Sequence, residues 1–419
     1  MLRSVIIAER NISYLIDYQC PQCGAPATLE ETDRLFTCGF CKVKSYLMPQ
    51  GIFQYHFLAT AQGDKQLVYF PYWRVKGMAF FSLPAGVQNH IVDISQQAVT
   101  SPYFPFSVGF RSQTLKLQFV TSETQGYFVK PVHPVSEIKA TVTRRYVHNL
   151  PKPPLHETVI GETASVIYAP YYVDGKIYDA IANEPLSTVP PEDFAVENLS
   201  GGKPHGGIHF IPTLCPNCGW DLEGERDSLV LHCKNCTTVW NPDKDGLKPL
   251  TAAHIPDQRD GVVYVPVWRI TAEVKGVALN NYADLVRLAN LPKVVQSDTE
   301  EQPFYFWVMA FKVHPHTFLT VSKRFTGSQI HDELVEKLPN GQVLPVNLAP
   351  GEAAESLKLI LSDLITPRAA LHKIFHELEV KPHKAKLVYI PFRDNMHELV
   401  QEQLELALDK SQVRLASNL

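Results

Sequence analysis

The 419-residue sequence contains no long apolar run. The longest candidate, residues 303–311, is much shorter than the ~20 residues that a membrane-spanning helix needs. Near the N-terminus, a short apolar run ends at Glu9 and Arg10, too soon for the core of a signal peptide. We therefore expect a protein without a transmembrane segment, located in the cytoplasm.

Several sequence motifs of common enzymes are also missing. There is no Gly-x-Ser-x-Gly nucleophile elbow, no phosphate-binding Gly-x-x-x-x-Gly-Lys-Ser/Thr loop and no Gly-x-Gly-x-x-Gly after a strand. His372 and His376 lie four residues apart, but Lys373 stands where a metalloprotease helix carries its general-base glutamate. These absences predict that the protein is not an enzyme.

No cysteine is left outside one repeated pattern, in which two Cys-x-x-Cys pairs are separated by 14 residues. This spacing is typical of two hairpin turns that place four thiolates tetrahedrally around one zinc ion. The sequence predicts two closed zinc sites per chain, with the ligands Cys20, Cys23, Cys38 and Cys41 in the first and Cys215, Cys218, Cys233 and Cys236 in the second. Paired metal thiolates also favour a reducing compartment. Iron in a redox site is the alternative, because ligand type alone does not separate zinc from iron.

A second repeated feature follows each cysteine group at the same shift of 195 residues, and it indicates an internal duplication. Each copy is a Tyr-x-Pro-x-Trp-Arg string, and each half later carries a further Tyr-x-Pro. The predicted domains are a first zinc ribbon (1–50), a β-rich domain (51–195), a flexible linker (196–207), a second zinc ribbon (208–247) and a β-rich domain with C-terminal helices (248–419).

Short segments of β-branched and aromatic residues predict strands at 67–70, 115–120, 166–168 and 262–265. Each cysteine group is expected to form a three-stranded ribbon together with the apolar segment that precedes it. Helical periodicity predicts helices at 352–364, 367–378 and 397–408. The predicted fold class is α+β and β-dominated, with helices mainly near the C-terminus.

The Tyr-x-Pro-x-Trp-Arg strings allow two interpretations. Because a proline cannot donate to a sheet, the structural interpretation places Pro71 and Pro266 at an edge or bulge. The functional interpretation gives two equivalent aromatic surfaces that bind an extended peptide. The residues of that possible partner-binding surface are Tyr69, Trp73, Arg74, Tyr264, Trp268 and Arg269.

The ribbons resemble the zinc-ribbon (rubredoxin-like) proteins, on the strength of Cys-Pro-Gln-Cys-Gly at residue 20 and Cys-Pro-Asn-Cys-Gly at residue 215. Together with the following Tyr-x-Pro-x-Trp strings, they are similar to uncharacterised bacterial proteins with two zinc ribbons and small β-modules. The resemblance implies two zinc ions, one bound by each set of four cysteines. Lys42 and Thr237 depart from the pattern, since glycine is expected after the second pair of each ribbon.

These observations predict a non-enzymatic, two-zinc structural or adaptor protein that mediates protein–protein interaction within an assembly. Nucleic-acid binding by the ribbons is the first alternative. It is not favoured, because the net charge is −4 and neither ribbon carries a basic cluster with exposed aromatic residues. Trp220 and Trp240 flank the second site, and we expect them to cover it rather than to stack on bases.

Overall fold

The computed structural model of the protein describes residues 14–61, 65–109, 115–150, 152–191, 194–204, 206–330 and 332–415. Within these ranges the chain forms the following strands: β1 (Leu15–Gln19), β2 (Pro26–Glu30), β3 (Leu35–Thr37), β4 (Lys44–Pro49), β5 (Phe53–Phe57), β6 (Val68–Leu83), β7 (Gly86–Gln97), β8 (Leu117–Phe119), β9 (Tyr127–Val129), β10 (His156–Asp174), β11 (Lys176–Asp179), β12 (Glu184–Pro185), β13 (Gly201–Gly202), β14 (Ile208–Pro212), β15 (Leu231–Cys233), β16 (Thr238–Asp243), β17 (Gly246–Pro249), β18 (Ala252–His254), β19 (Val262–Lys275), β20 (Phe306–Met309), β21 (Gln342–Val343), β22 (Glu379–Asn395), β23 (Glu398–Gln401) and β24 (Leu406–Asp409). The α-helices are α1 (Val135–Val147), α2 (Tyr282–Ala289), α3 (Ser297–Glu301), α4 (Pro315–Ser328), α5 (Pro350–Glu355), α6 (Leu357–Leu364), α7 (Leu371–Glu377) and α8 (Lys410–Leu415).

Strands dominate both halves, and the helices lie mainly in the C-terminal half, where all of α2–α8 are found. The predicted β-dominated α+β class is therefore confirmed. The predicted strands at 67–70, 115–120, 166–168 and 262–265 coincide with parts of β6, β8, β10 and β19.

Each half is built around one long antiparallel strand pair. In the first half β6 pairs with β10, and in the second half β19 pairs with β22. The repeated Tyr-x-Pro segments face each other in these pairs: Pro71 lies opposite Tyr168, and Pro266 lies opposite Tyr389. The two halves share this register.

The two prolines sit inside their sheets, where the other neighbour of the strand changes. β6 pairs with β9 up to Tyr69 and with β7 from Tyr72 onward, so no ladder hydrogen bond on that side requires an N–H at Pro71. The carbonyl of Pro71 accepts from Ala98 on that same side, at 3.0 Å. Pro266 repeats this arrangement between β21 and β20, with its carbonyl 3.0 Å from the N–H of Ala310. The prediction of an edge or bulge is wrong at both prolines, since each lies inside its sheet without a register shift. A change of neighbour removes the need for a donor just as an edge does.

The predicted helix at 397–408 is also wrong, since this segment forms the β23–β24 hairpin. Its apolar residues fit both the helical period of about 3.6 residues and the strand period of about 2. Leu399 and Leu408 are paired across the hairpin and both are buried. Glu405 takes a left-handed conformation (φ 50°) in the turn, which a helix does not allow. The other two predicted helices fall on α5, α6 and α7.

The sheet of the first ribbon contains a strand that the sequence assigned to the second. β3 and β4 form a hairpin, and the third strand is β14, which pairs with β4 along its whole length. The segment expected to complete the first ribbon, β1, instead pairs with β2 and β8 in the large sheet. The expectation of two independent three-stranded ribbons is corrected accordingly.

Contacts between the halves continue into the cores. Met78, Phe80 and Ile160 of the first half belong to the same buried cluster as the core of the second half. The segment between the halves is also held: β13 pairs with β9, and the carbonyl of Gly207 accepts from the N–H of Gln50 at 2.9 Å.

Candidate metal centres

The cysteines of each ribbon form a compact cluster of sulfur atoms. In both groups the four Sγ atoms all lie within 4.8 Å of one another. The closest pairs are 3.7 Å apart in the first group, and 3.5 and 3.6 Å apart in the second. These distances exceed the ~2.05 Å of a disulfide and match the ~3.8 Å edge of a tetrahedron with zinc–sulfur bonds of ~2.3 Å. Each group could hold one metal ion.

The first turn of each group is shaped by glycine. Gly24 (φ 71°) and Gly219 (φ 73°) take left-handed conformations. Their N–H groups each bond at 2.8 Å to the carbonyl of the first cysteine of the pair. This closes a tight turn with both thiols on one side.

The second turn keeps a left-handed position without glycine. Lys42 (φ 62°) and Thr237 (φ 54°) occupy it, at a local cost of about 1–2 kcal/mol for a residue with a Cβ. The β-branched Thr237 is the more strained of the two. In the first ribbon the turn is closed by a hydrogen bond from Lys42 N–H to the Cys38 carbonyl at 3.1 Å.

Hydrogen bonds stabilise thiolate character in both groups. The backbone N–H of Cys41 is the main group that lowers the pKa of Cys38, to about 6. The hydroxyl of Thr238 is the main group that lowers the pKa of Cys236, to about 6. Burial raises the pKa of Cys233 to about 12, with the neighbouring sulfurs adding to the rise. A bound cation would relieve that repulsion and allow all four sulfurs to ionise.

The second group has an additional hydrogen-bond chain. Trp240 Nε1 donates to Thr238 Oγ1 at 2.9 Å, and Thr238 Oγ1 lies 3.0 Å from Cys236 Sγ. Val43 and Ser45 stand at the equivalent positions of the first ribbon, 195 residues earlier. This difference could not be predicted from the sequence, because a single threonine near a cysteine is common.

The two tryptophans that flank this group differ in position. Trp240 is buried and covers the site through its bond to Thr238. Trp220 is 60% exposed, so the expectation that it covers the metal turn is wrong. Its side chain is free to point to solvent because its backbone alone makes the turn, through the 2.7 Å bond from Cys215 N to Trp220 O.

The second metal group lies next to the contact between the ribbons. Cys215 and Cys233 share a buried cluster with Leu35 and Tyr46 of the first ribbon. The carbonyl of Arg226 accepts from the N–H groups of Arg34 at 2.6 Å and Leu35 at 2.8 Å. The Arg226 side chain forms an ion pair with Asp33. The second ribbon is also tied to its own half, through the 2.5 Å hydrogen bond between His232 and Tyr389.

The aromatic residues of the proposed partner-binding surface lie in the interior. Tyr69, Trp73, Tyr264 and Trp268 are each buried. The two indoles are held equivalently: Trp73 Nε1 donates to the His133 carbonyl at 2.8 Å and Trp268 Nε1 to the Leu348 carbonyl at 2.9 Å. Burial leaves the peptide-binding hypothesis without the exposed aromatic surface that it requires.

The arginines of the strings also have internal partners. Arg74 is buried and forms ion pairs with Glu31, at 3.3 Å, and with Asp93. Arg269 is partly exposed and lies over the Tyr305 ring, 4.6 Å from its centroid. Both arginine side chains therefore contact groups of the chain itself.

Among the described residues, the two cysteine groups are the only sets of three or more histidine, cysteine or acidic residues arranged to hold a metal ion. The rings of His372 and His376 lie 4.9 Å apart, and the described chain places no third metal-binding side chain beside them. No helix in the described part of the chain is long and apolar enough to cross a membrane. No family model, curated protein or solved structure matches the chain.

Proposed function

We propose that this protein is a non-catalytic, two-zinc scaffold in which the metal-bound ribbons fasten the two halves of the chain together. The observation that carries the proposal is the buried cluster shared by the ribbons, which contains two cysteines of the second metal group and Leu35 and Tyr46 of the first ribbon. A ribbon of ~40 residues is too small to form a sufficient core alone. Zinc binding therefore supplies much of the folding energy of this junction.

Metal analysis and chelation test the fastening role. The purified chain is expected to contain about two zinc ions and to show no visible thiolate-to-iron absorption. A strong chelator should then make β14 and the two residues before it (206–212) sensitive to protease, because β14 loses its place beside β4. An unchanged digestion pattern in the fully metal-free protein would contradict the proposal.

The proposed adaptor role requires an exposed binding surface, and the metal turns supply one. Phe40 is 71% exposed in the first ribbon and Trp220 is 60% exposed in the second. Both are fixed on rigid metal-bound turns, and tryptophan is enriched among residues that dominate binding energy. We propose that protein partners contact these turns.

A matched pair of variants tests this surface. Trp220→Ala should abolish cross-linking to partners that the wild-type protein captures, whereas Met396→Ala should leave it unchanged. Met396 is the control because it is 85% exposed and lies on the β22–β23 turn, outside both ribbons. Equal capture by both variants would refute the proposed role of the turn while leaving the fastening role intact.

A further inference from the structure

A cleft of about 410 Å³ lies where both ribbons meet the two halves of the chain. Its walls are largely apolar and include Met48, Phe53, Leu250, Trp268 and Leu348. Small-molecule sites have this size and character, with a few polar groups that fix orientation, and they occur preferentially between structural units.

The first such polar group is Arg34, which is half-buried at the cleft wall. Its guanidinium lies over the Phe53 ring, 4.4 Å from the centroid. Nη1 donates to the carbonyls of Glu31, at 3.3 Å, and Asp33, at 3.1 Å. Nε and Nη2 have no acceptor among the described residues. The guanidinium is thus held in position with the donors of one edge unused, which suits a carboxylate.

Thr163 is the second polar group at the wall. Lys312 Nζ donates to Thr163 Oγ1 at 3.2 Å, so the hydroxyl oxygen acts as an acceptor and its hydrogen remains available. Within the described chain, no acceptor for that hydrogen is found. Burial lowers the pKa of Lys312 to about 8, which leaves its ammonium group mainly protonated at pH 7. Thr163 therefore offers a donor backed by a buried positive charge.

One acidic residue, Glu162, also lines the cleft. Its carboxylate forms an ion pair with Lys139, and this offsets the repulsion that it would exert on an anion. The lining also includes the amide of Asn241 and the hydroxyl of Tyr46, and most of the remaining wall is apolar.

From this arrangement we propose that the cleft binds a small monocarboxylate with an apolar body, whose carboxylate bonds to Arg34 and Thr163 and whose body packs between Phe53 and Trp268. This goes beyond the scaffold function, because it concerns a small ligand and requires no protein partner. Binding would join both ribbons to the second half, since the walls come from all of these units.

The first test compares three ligands of equal chain length by calorimetry on the zinc-loaded full chain. Octanoate should bind, whereas octanol and octylammonium should bind at least about tenfold more weakly, because an alcohol lacks the negative charge and the second oxygen of a carboxylate and an ammonium group has no acceptor. Equal affinity for octanoate and octanol would overturn the proposal, and so would the absence of octanoate binding.

Variants then locate the site. Arg34→Gln and Thr163→Val should each weaken octanoate binding, the former about tenfold or more. Arg287→Gln should not, because Arg287 is exposed and pairs with Glu300 on the surface. Circular dichroism and zinc content establish that each variant is folded. If Arg34→Gln does not fold, Thr163→Val and the ligand comparison still decide the question. Octanoate affinity that survives the folded variants unchanged would place the ligand elsewhere and refute the proposal. These outcomes are separate from loss of zinc, which tests the scaffold.

Discussion

The hydroxyl of Thr238 should increase the affinity of the second cysteine group for its metal ion. Thr238 Oγ1 lies 3.0 Å from Cys236 Sγ and accepts from Trp240 Nε1 at 2.9 Å. The substitution Thr238→Val keeps the shape of the side chain and removes both bonds. Loss of such an outer hydrogen bond typically lowers metal affinity 10–100-fold, which corresponds to about 1.4–2.7 kcal/mol.

The two sites can be observed separately with cadmium in place of zinc, because each four-thiolate site gives its own ¹¹³Cd resonance. Titration with a chelator should remove cadmium from the second site of Thr238→Val at a lower chelator concentration than in the wild type, while the first site responds as before. The hydroxyl also lowers the pKa of Cys236, so its loss increases competition from protons and acts in the same direction.

Two controls accompany this measurement. Thr251→Val makes the same substitution at an exposed position and should change neither site. Val43→Thr places a hydroxyl at the equivalent position of the first ribbon and should leave the second site unchanged. If the second site of Thr238→Val releases its metal at the wild-type chelator concentration, the hydrogen bond contributes nothing and the reasoning fails.

Three further predictions concern stability. Trp268→Phe should lower the free energy of unfolding by about 1–3 kcal/mol in urea titrations, because it leaves the buried Leu348 carbonyl without its 2.9 Å donor. A loss below about 0.5 kcal/mol, which is typical of substitutions on the surface, would contradict this. Burial raises the pKa of Glu352 to about 7 from its ordinary 4.5, so between these pH values the folded state binds a proton that the unfolded state has lost. The wild type should therefore lose stability as the pH rises from 4.5 to 7, by at most about 3 kcal/mol. Glu352→Gln should remove that loss, and parallel pH profiles of the two proteins would refute it. Pro266→Ala should cost only about 0.4–1 kcal/mol, since no ladder bond depends on that position; a larger loss would show that the change of neighbour at Pro266 is not why proline is tolerated.

Local chemistry explains which features the sequence could predict. Ligand type and spacing lie within 22 residues of chain in each ribbon, so the clustering of Cys20 with Cys41 and of Cys215 with Cys236 follows from local turns. The strands around the Tyr-x-Pro segments could also be predicted, because β-branched and aromatic residues favour buried strands whichever strand they pair with.

Features that depend on distant pairing were not predictable in the same way. Whether residues 397–408 form a helix or a hairpin is decided by β22, which supplies the edge on which β23 adds. The sequence did not reveal that Arg74 would lie beside Glu31, 43 positions away. Nor did it predict the cleft, which brings Arg34 and Trp268 together only after both ribbons have docked.

β14 links the two ribbons, because it precedes the second cysteine group in the chain but pairs with β4 of the first ribbon. β14 ends at Pro212, three residues before Cys215, yet it completes the sheet that continues from Cys41 into β4. The first ribbon therefore cannot complete its sheet without the chain that leads into the second metal group. The second group in turn buries two of its cysteines against Leu35 and Tyr46 of the first. Two independent ribbons would each need a separate core, which chains of ~40 residues rarely supply. By sharing a strand and a buried cluster, the two ribbons form one core that fixes the relative position of the halves, and the cleft at their junction depends on that position.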